Sequence, residues 1–287
     1  TEGNIIVNTT DKGTVRLILN NASISNTTTA PIKVLDAKKV ILTLADNTTN
    51  TITDSSRLST EEDYSAVIYS KEDLIINGNG TLNVNAGYRN GIKSTDDCII
   101  VSGTLNITST EDGIIGKDLC GIVAGDININ AGSDGIKSTY DTDTTKGNVI
   151  IEGGNITIKA SNDGIQAENI LVINDGTINI KTNNGAADTT QTHTDNMDMD
   201  RGGFGFNNNK TTTTTDDTVE SRKGIKAGNM LIINDGDITI DSDDDSVHCN
   251  SEIYIYGGTI NAATGDDGVH ADDLLTVNGG TINITVL

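Results

Sequence analysis

Apolar and polar residues alternate in this chain over short runs, and turn residues separate one run from the next. In "ASNDGIQAENILVINDGTINIK" (160–181) three such runs, GIQA, ILVI and GTINI, are split by EN and NDG. Each run is too short for a helix, and its Ile and Val favour strands. In GTINI the isoleucines point to one face and Thr and Asn to the other.

The unit repeats, and one pentapeptide marks it. It is written NGIKS at 90–94, DGIIG at 112–116, DGIKS at 134–138, DGIQA at 163–167, KGIKA at 223–227, DSVHC at 245–249 and DGVHA at 267–271. Its second residue falls at Gly91, Gly113, Gly135, Gly164, Gly224, Ser246 and Gly268, in steps of 22, 22, 29, 60, 22 and 22. The two long steps are the same unit carrying insertions of 7 and 38 residues. A fixed period of this size predicts a solenoid. Three strands per unit, stacked about 4.8 Å apart, give a parallel β-helix in which one repeat position forms one column up the body.

The columns sort by chemistry. Ile92, Ile114, Ile136, Ile165, Ile225, Val247 and Val269 form an inward apolar ladder. The next inward column is small: Ser94, Gly116, Ser138, Ala167, Ala227, Cys249 and Ala271. Cys98 and Cys120 share another inward column and read as free buried thiols. Residues 30–45 and 65–84 follow the same plan, and residues 1–25 are expected to start the stack and cover its apolar end. The whole of 1–287 is therefore expected to be one all-β domain, with a low-complexity, mobile insertion at about 185–222.

Composition narrows the partners. The 31 glycines lack a three-residue period, which excludes collagen, and no apolar stretch is long enough to enter a membrane. With 41 acidic and 19 basic residues the net charge is −22, which disfavours nucleic acid and anionic membranes and attracts cations. An odd number of cysteines gives no disulfide framework.

Against that acidity one outward column stands out: Lys33, Tyr69, Lys93, Ile115, Lys137, Gln166, Lys226, His248 and His270, with Arg89 and Arg222 in the turns before it. Lysines also decorate strands simply to discourage edge pairing. A ligand-facing role instead makes Arg89, Lys93, Lys137, Gln166, Arg222, Lys226, His248 and His270 the candidate ligand-binding residues. Beside it runs an acidic column, Asn90, Asp112, Asp134, Asp163, Lys223, Asp245 and Asp267. Asp-Gly is a favoured turn pair, so these acids have a purely structural reading as well. Pooled across coils they suit Ca²⁺, which takes six to eight oxygens. Because Lys223 breaks the ladder, two calcium clusters are expected, Glu111/Asp112/Asp134/Asp163 and Asp243/Asp244/Asp245/Asp266/Asp267, with Asp141 and Asp143 near the first. The insertions border this same strand, as binding-face insertions do in repeat arrays. Phe204 and Phe206, in the long one, are candidate caps for a sugar chain, and plain disorder of that loop is the competing reading.

The succession SAVIYSKEDLIINGNGTLNV, NGIKSTDD, EDGIIGKD, SDGIKS, NDGIQAENILVINDGTINI, KGIKAGNMLIINDG and DDGVHADDLLTVNGGTINI resembles a bacterial family of carbohydrate-binding β-helix proteins from anaerobic biomass degraders, similar in fold to polysaccharide lyases. The resemblance covers the chain from about residue 14 to its end, except the long insertion. It implies a right-handed parallel β-helix, bound calcium, recognition of cellulose or of acidic sugars such as polygalacturonate, and a secreted or cell-surface location.

Three functions compete. A non-catalytic binding module uses the basic column for a linear polyanion, with calcium bridging further carboxylates. A lyase needs the uronate carboxylate neutralised by Ca²⁺ and a neutral amine, from Lys137 or Lys226, to take the C5 proton. A structural or ice-binding solenoid would use the outward Thr/Asn columns that begin at Thr104 and Asn106, and would leave the Asp and Lys columns without a role.

Overall fold

This computed structural model describes residues 3–10, 13–56, 64–187 and 221–287. The body of the long insertion, with Phe204 and Phe206, lies outside the described residues.

Each coil gives one strand to each of three parallel sheets, and each sheet has 10 strands. One coil reads Asn90–Ser94, Asp97–Ile100 and Thr104–Ser109, the GIQA-, ILVI- and GTINI-type runs in order. We call their sheets first, second and third. Among the described residues there is no helix, and hence none long and apolar enough to cross a membrane. The molecule is a parallel β-helix, as the period predicts.

Register follows the predicted columns. Ile92 pairs with Ile114, Ile114 with Ile136, Ile136 with Ile165, Ile165 with Ile225, and Ile225 with Val247. These residues are completely buried in one continuous core. Cys98 pairs with Cys120, both thiols buried, and burial pushes the Cys120 thiol up to about 12. They pack as small hydrophobes.

One expectation needs correction. Residues 1–25 do start the stack, through Ile5–Asn8, Thr14–Leu19 and Ser23–Asn26, but they do not cover its end. They are themselves the end coil, and its inward Val15, Leu17 and Ile24 are only partly buried. The glycine of the pentapeptide, moreover, does not make the bend. Positive φ occurs instead in the turn before each third-sheet strand, for example at Gly125 (120°) and Gly176 (125°). At Gly113 the constraint is closeness: a Cβ there would sit 2.5 Å from both the carbonyl oxygen of Gly135 and Cγ2 of Ile129. Glycine lets neighbouring coils and the facing third-sheet isoleucine approach.

Candidate functional site

The outward column of the first sheet forms in the predicted order. Lys93 neighbours Ile115, then come Lys137, Gln166, Lys226, His248 and His270. It is not uniformly open. Lys33 and Tyr69 are buried, Tyr69 among Ala30, Ala66 and Tyr64, and Ile115 is 3% exposed. Ile115 separates Lys93 from the remaining bases. Lys93 donates to Ser65 Oγ at 3.3 Å, and its pKa is lowered, chiefly by burial.

The acidic column has a specific structural task. Asn90 Oδ1 accepts the backbone N–H of Asp112, Asp112 Oδ1 that of Asp134, and Asp134 Oδ1 that of Asp163, at 2.9–3.0 Å. Asp163 Oδ1 accepts the N–H of Lys223 at 2.7 Å, and Asp245 Oδ1 that of Asp267 at 3.0 Å. One carboxylate oxygen in each coil thus satisfies a backbone donor in the next. Lys223 offers no acceptor, so the N–H of Asp245 turns to Asp244 Oδ1 at 2.9 Å.

The second oxygen faces the basic column three residues on. Lys137 Nζ lies 2.5 Å from Asp134 Oδ2, His248 Nδ1 2.8 Å from Asp245 Oδ2 and His270 Nδ1 3.0 Å from Asp267 Oδ2. Lys226 instead reaches Asp163 Oδ2 of the preceding coil, at 3.7 Å. Burial pushes the Asp134 carboxyl up to about 6, with Lys137 pulling the other way and Asp163 and Asp112 adding repulsion. For Lys137, burial works against the charge. The attraction and hydrogen bond of Asp134, with Asp112 and Asp163 behind, outweigh it and raise the pKa. A protonated amine so held is a poor general base, which weighs against Lys137 in a lyase.

The Lys137–Asp134 and Lys226–Asp163 pairs line a polar groove of about 250 Å³ bounded by Ser133, Asp134, Lys137, Asn162, Asp163, Gln166, Ser221 and Lys226. Of the predicted carbohydrate-binding residues it gathers Lys137, Gln166 and Lys226. Arg89 stands apart, 3.7 Å from Glu111. Arg222 is a structural residue, since its Nη1 donates to Asp243 Oδ2 at 2.8 Å and Asp243 is 1% exposed. The rest of that fork, Arg222 Nε and Asp243 Oδ1, is buried without a hydrogen bond.

The expected calcium clusters form unevenly. Among the described residues, carboxylates gather in threes at Asp244/Asp245/Asp266 and at Asp73/Asp96/Asp97, with no such group built from Glu111, Asp112, Asp134 and Asp163. At the former, Lys223 Nζ already lies 2.6 Å from Asp244 and 3.2 Å from Asp245. At the latter the charges crowd: burial, Asp73, Asp118 and Asp97 push the Asp96 carboxyl up to about 6. Asp141 and Asp143 line a different pocket, with Tyr140, Asn169 and Asn229, and Asp143 Oδ1 is taken by Thr145.

Sequence reasoning missed Asp73, Asp96 and Asp97, which lie on or beside the second sheet. It also missed that sheet's outward face. Ile75, Ile99, Ile150, Val172 and Ile232, with buried Gly121 between Ile99 and Ile150, form a partly exposed apolar column that ends in Tyr254. The rings of Tyr254 and Tyr256 are nearly parallel (9° between their planes), with centroids 6.4 Å apart. Tyr256 is 50% exposed. The signal was the YIY triplet, whose alternation sends both rings outward. On the third sheet, amides hydrogen-bond along the predicted polar ladder, as in Asn128 to Asn106 (3.1 Å) and Asn283 to Asn261 (2.8 Å).

A β-helix with a polar, ion-paired groove along one sheet and an aromatic pair on the next has the surface of a glycan-binding solenoid. The chain belongs to the carbohydrate-binding domain family: the family model described as "Carbohydrate-binding domain-containing protein" matches residues 1–268. A carbohydrate-binding domain-containing protein of Acetivibrio thermocellus is 36% identical over 110 residues, 37% of this chain and 38% of that relative's length. A solved structure, the polysaccharide lyase-like protein from C. thermocellum in its gadolinium derivative, superposes with a TM-score of 0.62. It is 35% identical in sequence, over 63% of this chain and 75% of that one.

Proposed function

We propose that this protein binds acidic plant cell-wall polysaccharide, such as polygalacturonate, along the first-sheet groove without cleaving it. The observation that carries this reading is the groove itself, where Lys137, Gln166 and Lys226 stand in successive coils above the buried carboxylates of Asp134 and Asp163. A uronate carboxylate entering there replaces Asp134 or Asp163 as the partner of an ammonium group, a charge-assisted contact that also orients the sugar. Calcium fits best at Asp73, Asp96 and Asp97, where no lysine of the described residues sits among the three carboxylates as Lys223 does at Asp244 and Asp245. When bound it neutralises that crowding. Polymeric ligands of this kind lie outside the cell, so the reading carries an exported or surface-attached protein with it.

A second reading, binding of neutral cellulose, is favoured by the parallel rings of Tyr254 and Tyr256, which offer aromatic surface to the apolar face of pyranose rings. One experiment tests both readings. Retention on polygalacturonate and on cellulose is measured with and without chelator while ultraviolet absorbance is followed. Retention without new absorbance is expected. A growing absorbance from a C4–C5 double bond makes the protein a lyase, and loss of retention on both polymers overturns the binding reading.

A further inference from the structure

Above the groove the basic column ends in two histidines. His248 and His270 occupy one position in neighbouring coils, with ring centroids 5.0 Å apart. Asp245, His248 and His270 each offer a ligand atom, and these atoms all lie within 4.8 Å of one another. We propose that Asp245, His248 and His270 form a binding site for a divalent transition-metal ion such as Zn²⁺.

Two imidazoles and a carboxylate are a borderline donor set, chosen by Zn²⁺, Co²⁺ or Ni²⁺ over the oxygen-seeking Ca²⁺. Ligands held about 2.1 Å from a tetrahedral ion stand roughly 3.4 Å apart. Reaching that from 4.8 Å takes rotation of side chains on a fixed backbone ladder. Burial helps, because the side chains of His248 and Asp245 are only 12% and 5% exposed.

The contacts of the two rings also ask for a positive charge at each. A neutral imidazole carries one N–H, yet His270 meets an acceptor at each nitrogen: Asp267 at 3.0 Å from Nδ1 and Asp272 at 3.2 Å from Nε2. His248 likewise meets Asp245 at Nδ1 and Asn250 Oδ1 at Nε2, 2.9 Å away. A proton or a metal ion on the second nitrogen resolves the conflict, and at His270 a carboxylate then remains on the other nitrogen, the arrangement that orients a metal-binding histidine. Lys223, the competing cation at Asp245, keeps Asp244 as its partner when Asp245 turns to the metal.

The test uses the chelator-stripped full chain in excess Ca²⁺, which occupies oxygen-only sites. Titration with Zn²⁺ by calorimetry and with Co²⁺ by visible absorption is expected to show one equivalent bound through nitrogen and oxygen. His248→Ala and His270→Ala should each weaken it at least tenfold, and His193→Ala should leave it unchanged. The chain has 3 histidines, so imidazole resonances of the wild type give a readout independent of how the variants fold. Two of the three sets must shift on adding Zn²⁺. No binding in the presence of Ca²⁺, binding unchanged in the His248→Ala/His270→Ala double variant, or a shift confined to His193 overturns the proposal.

Discussion

Lys137 and Asp134 hold each other on the outward face of one coil, Nζ to Oδ2 at 2.5 Å, while the other oxygen of Asp134 accepts the N–H of Asp163 at 2.9 Å. The same carboxyl therefore ties two coils together and sets the position of a groove lysine. Its pKa is raised to about 6 from an ordinary value of 3.8, mainly by burial. A carboxyl with a raised native pKa binds more protons folded than unfolded, so its contribution to stability is complete below about 3.8 and is lost as pH rises through about 6. In chelated protein, wild type should gain melting temperature relative to Asp134→Asn on going from about pH 7.5 to about pH 5. Asparagine keeps the Oδ1 acceptor and cannot titrate. Parallel melting curves for the two proteins across that range would remove Asp134 as the source.

Removing the groove cations should separate binding from folding. Lys137 and Lys226 are partly exposed, and each charge-assisted contact there contributes about 1 kcal/mol, so Lys137→Ala/Lys226→Ala should weaken polygalacturonate binding roughly thirtyfold. Lys93→Ala should cost much less, because buried Ile115 lies between Lys93 and the groove. Affinity electrophoresis at two salt concentrations checks this, since salt should weaken the wild type more than the double variant.

The tyrosine pair should govern a different polymer. Losing the buried contact area of two aromatic rings costs on the order of 1 kcal/mol or more, so Tyr254→Ala/Tyr256→Ala should reduce cellulose retention by roughly tenfold. Polygalacturonate retention should change by less than about twofold, since the pair lies on the second sheet and the groove on the first. Equal losses on both polymers would mean a single shared binding face.

The period, the register and the inward ladder were legible because a strand's alternation and a fixed repeat leave one way to stack Ile92 on Ile114 and Ile136. The order of the outward column was legible for the same reason. Its pairing was not. Whether Lys226 meets the acid of its own coil or Asp163 of the one before depends on side-chain reach, which alternation does not encode. The four-residue ILVI run hid the outward apolar face, because when every residue is apolar the pattern does not say which side is solvent. Lys223 was visible as a break in the acidic column. That its ammonium would settle between Asp244 and Asp245, in the place expected for a metal, required coordinates.

The pentapeptide glycine gives the sharpest test of the packing. Among the seven copies only Ser246 replaces it, and at the facing third-sheet position, sixteen residues on (twenty-three in the coil with the 7-residue insertion), where other coils carry Ile107, Ile129, Ile158, Ile180, Ile240 and Ile284, this coil has Ala262. The exchange is complementary. A Cβ at Gly113 meets Ile129 Cγ2, whereas Ser246 faces a methyl-sized residue and its hydroxyl lies 2.9 Å from Ser242 Oγ. Gly113→Ala alone should therefore cost about 1–3 kcal/mol through overpacking, and Ile129→Ala alone about 2–5 kcal/mol through the cavity it leaves. Together they should cost less than the sum by about 1 kcal/mol or more, because the new methyl enters the space the isoleucine vacates. The carbonyl of Gly135, 2.5 Å from the added Cβ, keeps the rescue partial. Denaturant unfolding of the two single variants and the double variant closes the cycle. Strict additivity would show that the coil-to-coil backbone approach, and not the isoleucine, excludes a side chain at this position.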